Sequence, residues 1–121
     1  MNKVNLSEKF ALFSEHWTPK IVGEANNQYI KLAKTQGEMI WHKHDDEDEL
    51  FLVVKGRLTI QMRDKSVELN PGEFYIVPKG IEHCPRSNEE VHLMLIEPKS
   101  TAHTGNHHSE MTVAIENQEW I

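Results

Sequence analysis

At 121 residues the chain is the length of one domain, long enough to bury a core without a disulfide or a structural metal. Asp and Glu outnumber Lys and Arg by 19 to 13, and the net charge of -6 argues against nonspecific nucleic-acid binding, which needs a basic surface. The lone Cys84 cannot close an internal disulfide, which fits a reducing compartment. Residues 1–17 include Glu8 and Glu15 and build no apolar leader core, and no apolar run approaches the ~20 residues of a membrane helix. A cytoplasmic protein without membrane contact is expected.

The elements follow in chain order. Ser7 is placed to cap a short helical turn through Phe13. Residues 21–25 and 28–34 flank Asn26-Asn27, a hairpin turn. Residues 38–44 read as a strand, with Ile40 and Trp41 favouring extension. Residues 49–54 are almost continuously apolar after Glu49, which predicts a strand buried on both faces. Residues 57–63 alternate, with Leu58, Ile60 and Met62 facing one way and Thr59 and Gln61 the other. Asp64-Lys65 is a turn, residues 66–69 return, and Asn70-Pro71-Gly72 turns again. Residues 73–77, 81–86 and 91–97 complete the strands. The tail, residues 110–121, is ambiguous, since Met111-Thr112-Val113-Ala114 suits an edge strand or a helix equally. Many short strands with regular turn punctuation predict an all-β sandwich or barrel.

Two blocks carry chemistry. The first holds His42, His44 and Glu49 between Gly37 and Gly56; the second holds His83 after Gly72, Pro78 and Gly80. Residues two apart on a strand share a face, so His42 and His44 point the same way, with Cα atoms roughly 6.5 Å apart. Two imidazoles at that spacing can converge on one ion with bonds of about 2.1 Å. A tight reversal after the acidic turn brings Glu49 beside His44, and a barrel is the simple way to place His83 opposite. Three imidazoles and a carboxylate suit a divalent transition metal. Each piece alone is ordinary. His-Lys-His is common on solvated strands, and the acidic run 45–49 fails as a calcium loop because Leu50 stands where that loop needs glycine. The conjunction of the two blocks carries the reading.

The first block resembles the first cupin motif through Gly37, His42, His44, Glu49 and Gly56, with an opening spacer one residue short. The second resembles the other cupin motif through Gly72, Pro78, Gly80 and His83; Ser87 holds the usual asparagine position and Asn88 follows it. The chain is similar to small single-domain cupin-2 proteins. That resemblance implies a double-stranded β-helix, a jelly-roll barrel enclosing a ligand cavity. Residues 1–36 would form an N-terminal arm and first strands, 37–100 the barrel with both motifs, and 101–121 a C-terminal loop and tail, all in one domain. It also implies that His42, His44, Glu49 and His83 bind one divalent transition metal ion, Fe, Mn, Ni, Cu or Zn. The expected function is a small metal-dependent enzyme of dioxygenase, isomerase, epimerase or lyase type acting on a small polar metabolite. The alternative is a non-catalytic metal-dependent module that binds or senses a small molecule. His103, on a loop after the last clear strand, is the candidate catalytic residue. Asp48 is a rival carboxylate that the motif spacing disfavours, and Cys84 reads as a small buried residue. Tyr29, Lys31, Gln61 and Glu97 have unresolved facing, and His16, His92 and His107-His108 show no partner pattern. Phe10, Phe13, Trp17, Ile21 and Val22 are more apolar material than a short arm needs for itself, so a homodimer is expected, as similar cupins often pair through such strands.

Overall fold

A computed structural model describes residues 2–105 and 117–121. In chain order its elements are α1 (Leu6–Phe10), β1 (Lys20–Ala25), β2 (Gln28–Glu38), β3 (Glu49–Lys55), β4 (Leu58–Met62), β5 (Ser66–Leu69), β6 (Phe74–Val77), β7 (His83–Pro98) and β8 (Glu119–Trp120). The predicted hairpin joins β1 to β2. Asn26 and Asn27 both adopt left-handed backbone, φ 49° and 67°, the turn that matches the twist of an antiparallel pair.

β7 organises the molecule. Its 16 residues pair with β2 along one side; on the other side the start of β7 pairs with β4 and its later half with β3. Two layers result, β6-β3-β7-β2-β1-β8 and β5-β4-β7-β2, with β7 and the end of β2 passing from one to the other. This is the all-β jelly-roll barrel that the sequence predicts. The bend falls at a register shift between Thr35 and Gly37.

Alternation along the strands divides the apolar residues between two cores. Ala33, Phe51, Val53, Leu58, Ile60, Val91, Leu93 and Leu95 fill the barrel. Leu32 and Val22 face outward, where Phe10 and Phe13 of the arm cover them, with Val54 and Met94 alongside. Lys34 fixes this arm by donating from Nζ to the Phe13 carbonyl at 2.6 Å. The apolar arm is therefore buried on its own sheet.

Four element predictions need correction. The helix is capped by Asn5, whose side chain accepts from Glu8 N, and it ends at Phe10. Residues 39–44 form no continuous strand. They are held beside the start of β7 by Met39 N donating to the Pro85 carbonyl and by a reciprocal His42–His83 bridge. Residues 81–86 and 91–97 do not form separate strands, because β7 runs through the polar stretch between them, where Ser87 pairs with Gly37. β3 is fully buried on the face of Glu49, Phe51 and Val53 and only half-buried on the other. The segment Met111 to Ala114 lies outside the described residues.

Candidate metal centre

The bridge between His42 and His83 builds the site. His42 N donates to the His83 carbonyl at 3.0 Å, and His83 N donates back at 2.9 Å. This reciprocal pairing brings their rings to 4.4 Å between centroids. Each ring is then oriented by its own chain: Nδ1 of His42 lies 3.0 Å from the Ile40 carbonyl, and Nδ1 of His83 lies 2.9 Å from that of Ile81. A carbonyl only accepts, so Nδ1 carries the proton in each neutral ring and Nε2 keeps its lone pair. His44 is held by its own carbonyl, which accepts from Gly80 N at 2.7 Å. Glu49 opens β3 with Oε1 3.3 Å from His44 Nε2 and 3.6 Å from His83 Nε2.

The structure thus brings all four predicted residues together, each buried, with one donor atom from each lying within 4.8 Å of the others. Both ring nitrogens of His44 and Nε2 of His83 are buried without a hydrogen-bond partner. Buried polar atoms in native proteins are rarely left so, and a divalent cation would satisfy one nitrogen of His44 and Nε2 of His83 at once. The residues fit a metal.

Electrostatics points the same way. Burial, reinforced by the neighbouring His83, lowers His42 to about 4 and keeps it neutral. Burial also works against a charge on His44, but the Glu49 carboxylate outweighs it and raises that residue. Burial would raise Glu49; the neighbouring Glu97, His44 and His83 side chains more than reverse this and hold it well below the usual range. Glu97 moves the other way, raised well above by burial and then by the Glu49 carboxylate. The two carboxyl groups thus share one buried site, with the proton favoured on Glu97 and the charge on Glu49. Behind it Lys31 Nζ donates to Glu97 Oε1 at 2.7 Å, with the lysine side chain only 1% exposed.

A cavity of ≈ 40 Å³ opens beside His42 and Glu49. Ala33, Met39, Phe51, Leu93 and Leu95 supply most of its wall, and Thr35 and Glu97 add polar atoms. Trp17 and His103 are its partly exposed members and so mark its mouth. Trp17 has left-handed backbone at φ 59° and is pinned by its indole Nε1 donating to the Gln36 carbonyl at 3.0 Å. The loop carrying His103 ends at Gly105, where a Cβ would stand 2.0 Å from the Lys43 carbonyl oxygen.

Comparison with known proteins agrees. The Cupin_2 family model, a cupin domain, matches residues 28–99. This chain belongs to the Cupin_2 family. A cupin-2 domain protein of Shewanella frigidimarina is 46% identical over 78% of this chain and 93% of its own, with a TM-score of 0.78. Protein NMB1881 of Neisseria meningitidis is 32% identical over 80% and 99%, with a TM-score of 0.74. YdbB of Bacillus subtilis is 36% identical over 95 residues, 78% of each chain.

Around the cupin site the remaining candidates sort themselves. Asp48 accepts from Lys79 N at 2.9 Å at the surface and braces the acidic turn. Cys84 is fully buried, its Sγ donates to the Met39 carbonyl, and burial pushes its thiol up to about 11, which disqualifies it as a nucleophile. Ser87, in the cupin asparagine position, is buried against the Thr35 hydroxyl at 3.1 Å. Gln61 bonds Glu38 and the Cys84 carbonyl, away from the cavity. Tyr29 meets Trp120 edge-on. His16 and His92 share the Glu90 carboxylate, and His107-His108 lie outside the described residues. Sequence reasoning named Lys31 and Glu97 but missed their connection to Glu49. The available signal was their place in the inward register, Lys31 with Ala33 and Thr35, Glu97 with Leu95 and Leu93.

Proposed function

We propose that this cupin is a small metal-dependent enzyme whose one divalent transition metal is held by His42, His44, Glu49 and His83. The observation that carries the reading is the join between cluster and cavity: His42 and Glu49 belong to both. Such an ion supplies Lewis acidity toward an oxygen of a bound small molecule. The chain's own residues do the rest. His42 and His83 present Nε2 because their Nδ1 atoms are committed to carbonyls. Lys31 and Glu97 hold Glu49 from behind, and the fixed indole of Trp17 narrows the entrance against water. His103, at the mouth, is the proposed acid–base residue. These roles suit isomerase, epimerase, lyase or dioxygenase chemistry.

Elemental analysis of the protein and its variants tests the site. His44→Ala and His83→Ala should each lower bound metal at least tenfold, since each removes one bond to the ion. Full occupancy in either would defeat the ligand assignment. A substrate screen on the loaded protein then separates enzyme from binding module: ligand-induced spectral change without turnover in any member of the panel would favour the module. His103→Gln should reduce turnover at unchanged metal content.

A further inference from the structure

We infer that the molecule this cavity takes is compact and apolar-bodied, with its oxygen donors gathered at one end, and is neither a sugar nor a phosphate ester. The inference rests on the metal reading above and narrows it.

The walls argue first. Ala33, Met39, Phe51, Leu93 and Leu95 are all buried and present carbon to the cavity from β2, β3, β7 and the segment after β2. A polyhydroxylated body placed against them would give up its water and find no partners. Among the described residues the one wall hydroxyl, on Thr35, already faces Ser87 at 3.1 Å. Polar atoms capable of meeting a ligand sit toward His42, Glu49 and Glu97, with His103 at the mouth.

Charge argues second. No Lys or Arg lines the cavity among the described residues. The buried amine of Lys31 lies behind Glu97 and is tied to it at 2.7 Å. Beyond the ion itself a phosphate would meet two carboxyl groups and, among the described residues, no cation of the chain, whereas phosphate sites add Arg, Lys or a row of backbone N–H groups to any metal.

Size argues third. A space of ≈ 40 Å³ holds about three waters, so the bound portion of a ligand is a few heavy atoms beyond the donor head. Trp17 then closes over it as one more apolar face, fixed by Nε1 to the Gln36 carbonyl and by its backbone N to that of Lys34.

The test uses the full chain loaded with Co(II) and two nearly isosteric chelators, propionohydroxamate and glycolohydroxamate. They share one bidentate oxygen head and differ by a methyl in place of a hydroxyl. The visible Co(II) spectrum reads both dissociation constants. Propionohydroxamate should bind roughly tenfold tighter, because the methyl gains burial and the hydroxyl loses water without a partner. Inorganic phosphate at millimolar concentration should leave the spectrum unmoved. Ala33→Ser, a small change on the wall, should pull the ratio toward one. Equal affinity, a preference for the hydroxylated head, no response to either hydroxamate, or tight phosphate binding would each overturn the inference while leaving the metal site standing. Failure to take up Co(II) would overturn the metal reading itself, and this inference with it.

Discussion

Among single residues, His42 has the clearest consequence for stability. The unfolded chain takes up its proton below about pH 6.5, the ordinary histidine value. The folded ring refuses the proton until about 4. Between those values acid favours the unfolded state, so stability attributable to this residue is complete above 6.5 and falls as the pH drops toward 4. The difference amounts to roughly 3 kcal/mol. Glu49, held low, works in the same direction at still lower pH, and His44, held high, opposes both. In metal-free protein, His42→Asn should flatten the fall in denaturant midpoint between pH 6.5 and 4. An unchanged slope in the variant would show that His42 does not resist protonation. Lys31 gives a second residue-scale expectation. Lys31→Met strips Glu97 Oε1 of its buried donor and should cost about 2–3 kcal/mol. Combined with Glu97→Gln, the loss should be smaller than the sum of the two single losses, since both remove the same interaction. Additive losses in urea unfolding would break the chain from Lys31 to Glu49.

For whole elements, the telling contrast is between two left-handed glycines. Gly72 has φ +87° with nothing near its would-be Cβ, so Gly72→Ala carries only backbone strain, about 1 kcal/mol. Gly105 has φ +60° and presses on the carbonyl of Lys43, between the two histidines of the first block. Gly105→Ala should push the loop off that segment and weaken metal binding several-fold, whereas Gly72→Ala leaves it intact; isothermal titration with Zn(II) separates the two. Period-two patterning made much of the fold legible at this scale. It gave the alternation of β4 and the common facing of His42 and His44, which holds although residues 39–44 are not a regular strand, while turn chemistry gave the Asn26-Asn27 hairpin. It failed at residues 87–90, a polar run that reads as a loop. There β7 bends at the end of the barrel and Asn88, Glu89 and Glu90 all lie exposed, so no buried face marks the strand. The link from Lys31 through Glu97 to Glu49 depends on β2, β3 and β7 lying side by side, a pairing that local pattern does not encode.

For the whole molecule, the arm's use of its own apolar residues shifts the expected dimer contact elsewhere. Among the described residues β6 pairs only with β3, and it carries Phe74 and Ile76, 59% and 46% exposed, opposite Leu52 and Leu50. We expect two copies to join through this outward face. Light scattering should give about twice the 14.1 kDa of one chain, and Phe74→Lys should return it to the single-chain mass. A single-chain mass for the unaltered protein at micromolar concentration would remove the dimer. The barrel core is built from apolar residues without help from the site, so chelation should lower the melting temperature while the β-sheet circular dichroism persists. The reciprocal bridge between His42 and His83 has a kinetic side as well. It joins the two halves of the chain, with His83 bridged to His42 on one side and paired with Met62 of β4 on the other. We expect this closure to come late in folding, and strengthening an interaction absent from the transition state slows unfolding without speeding folding. Metal should therefore slow the unfolding limb of a chevron and leave the refolding limb almost where it was, making the ion a brake on escape from the native state rather than a nucleus for reaching it.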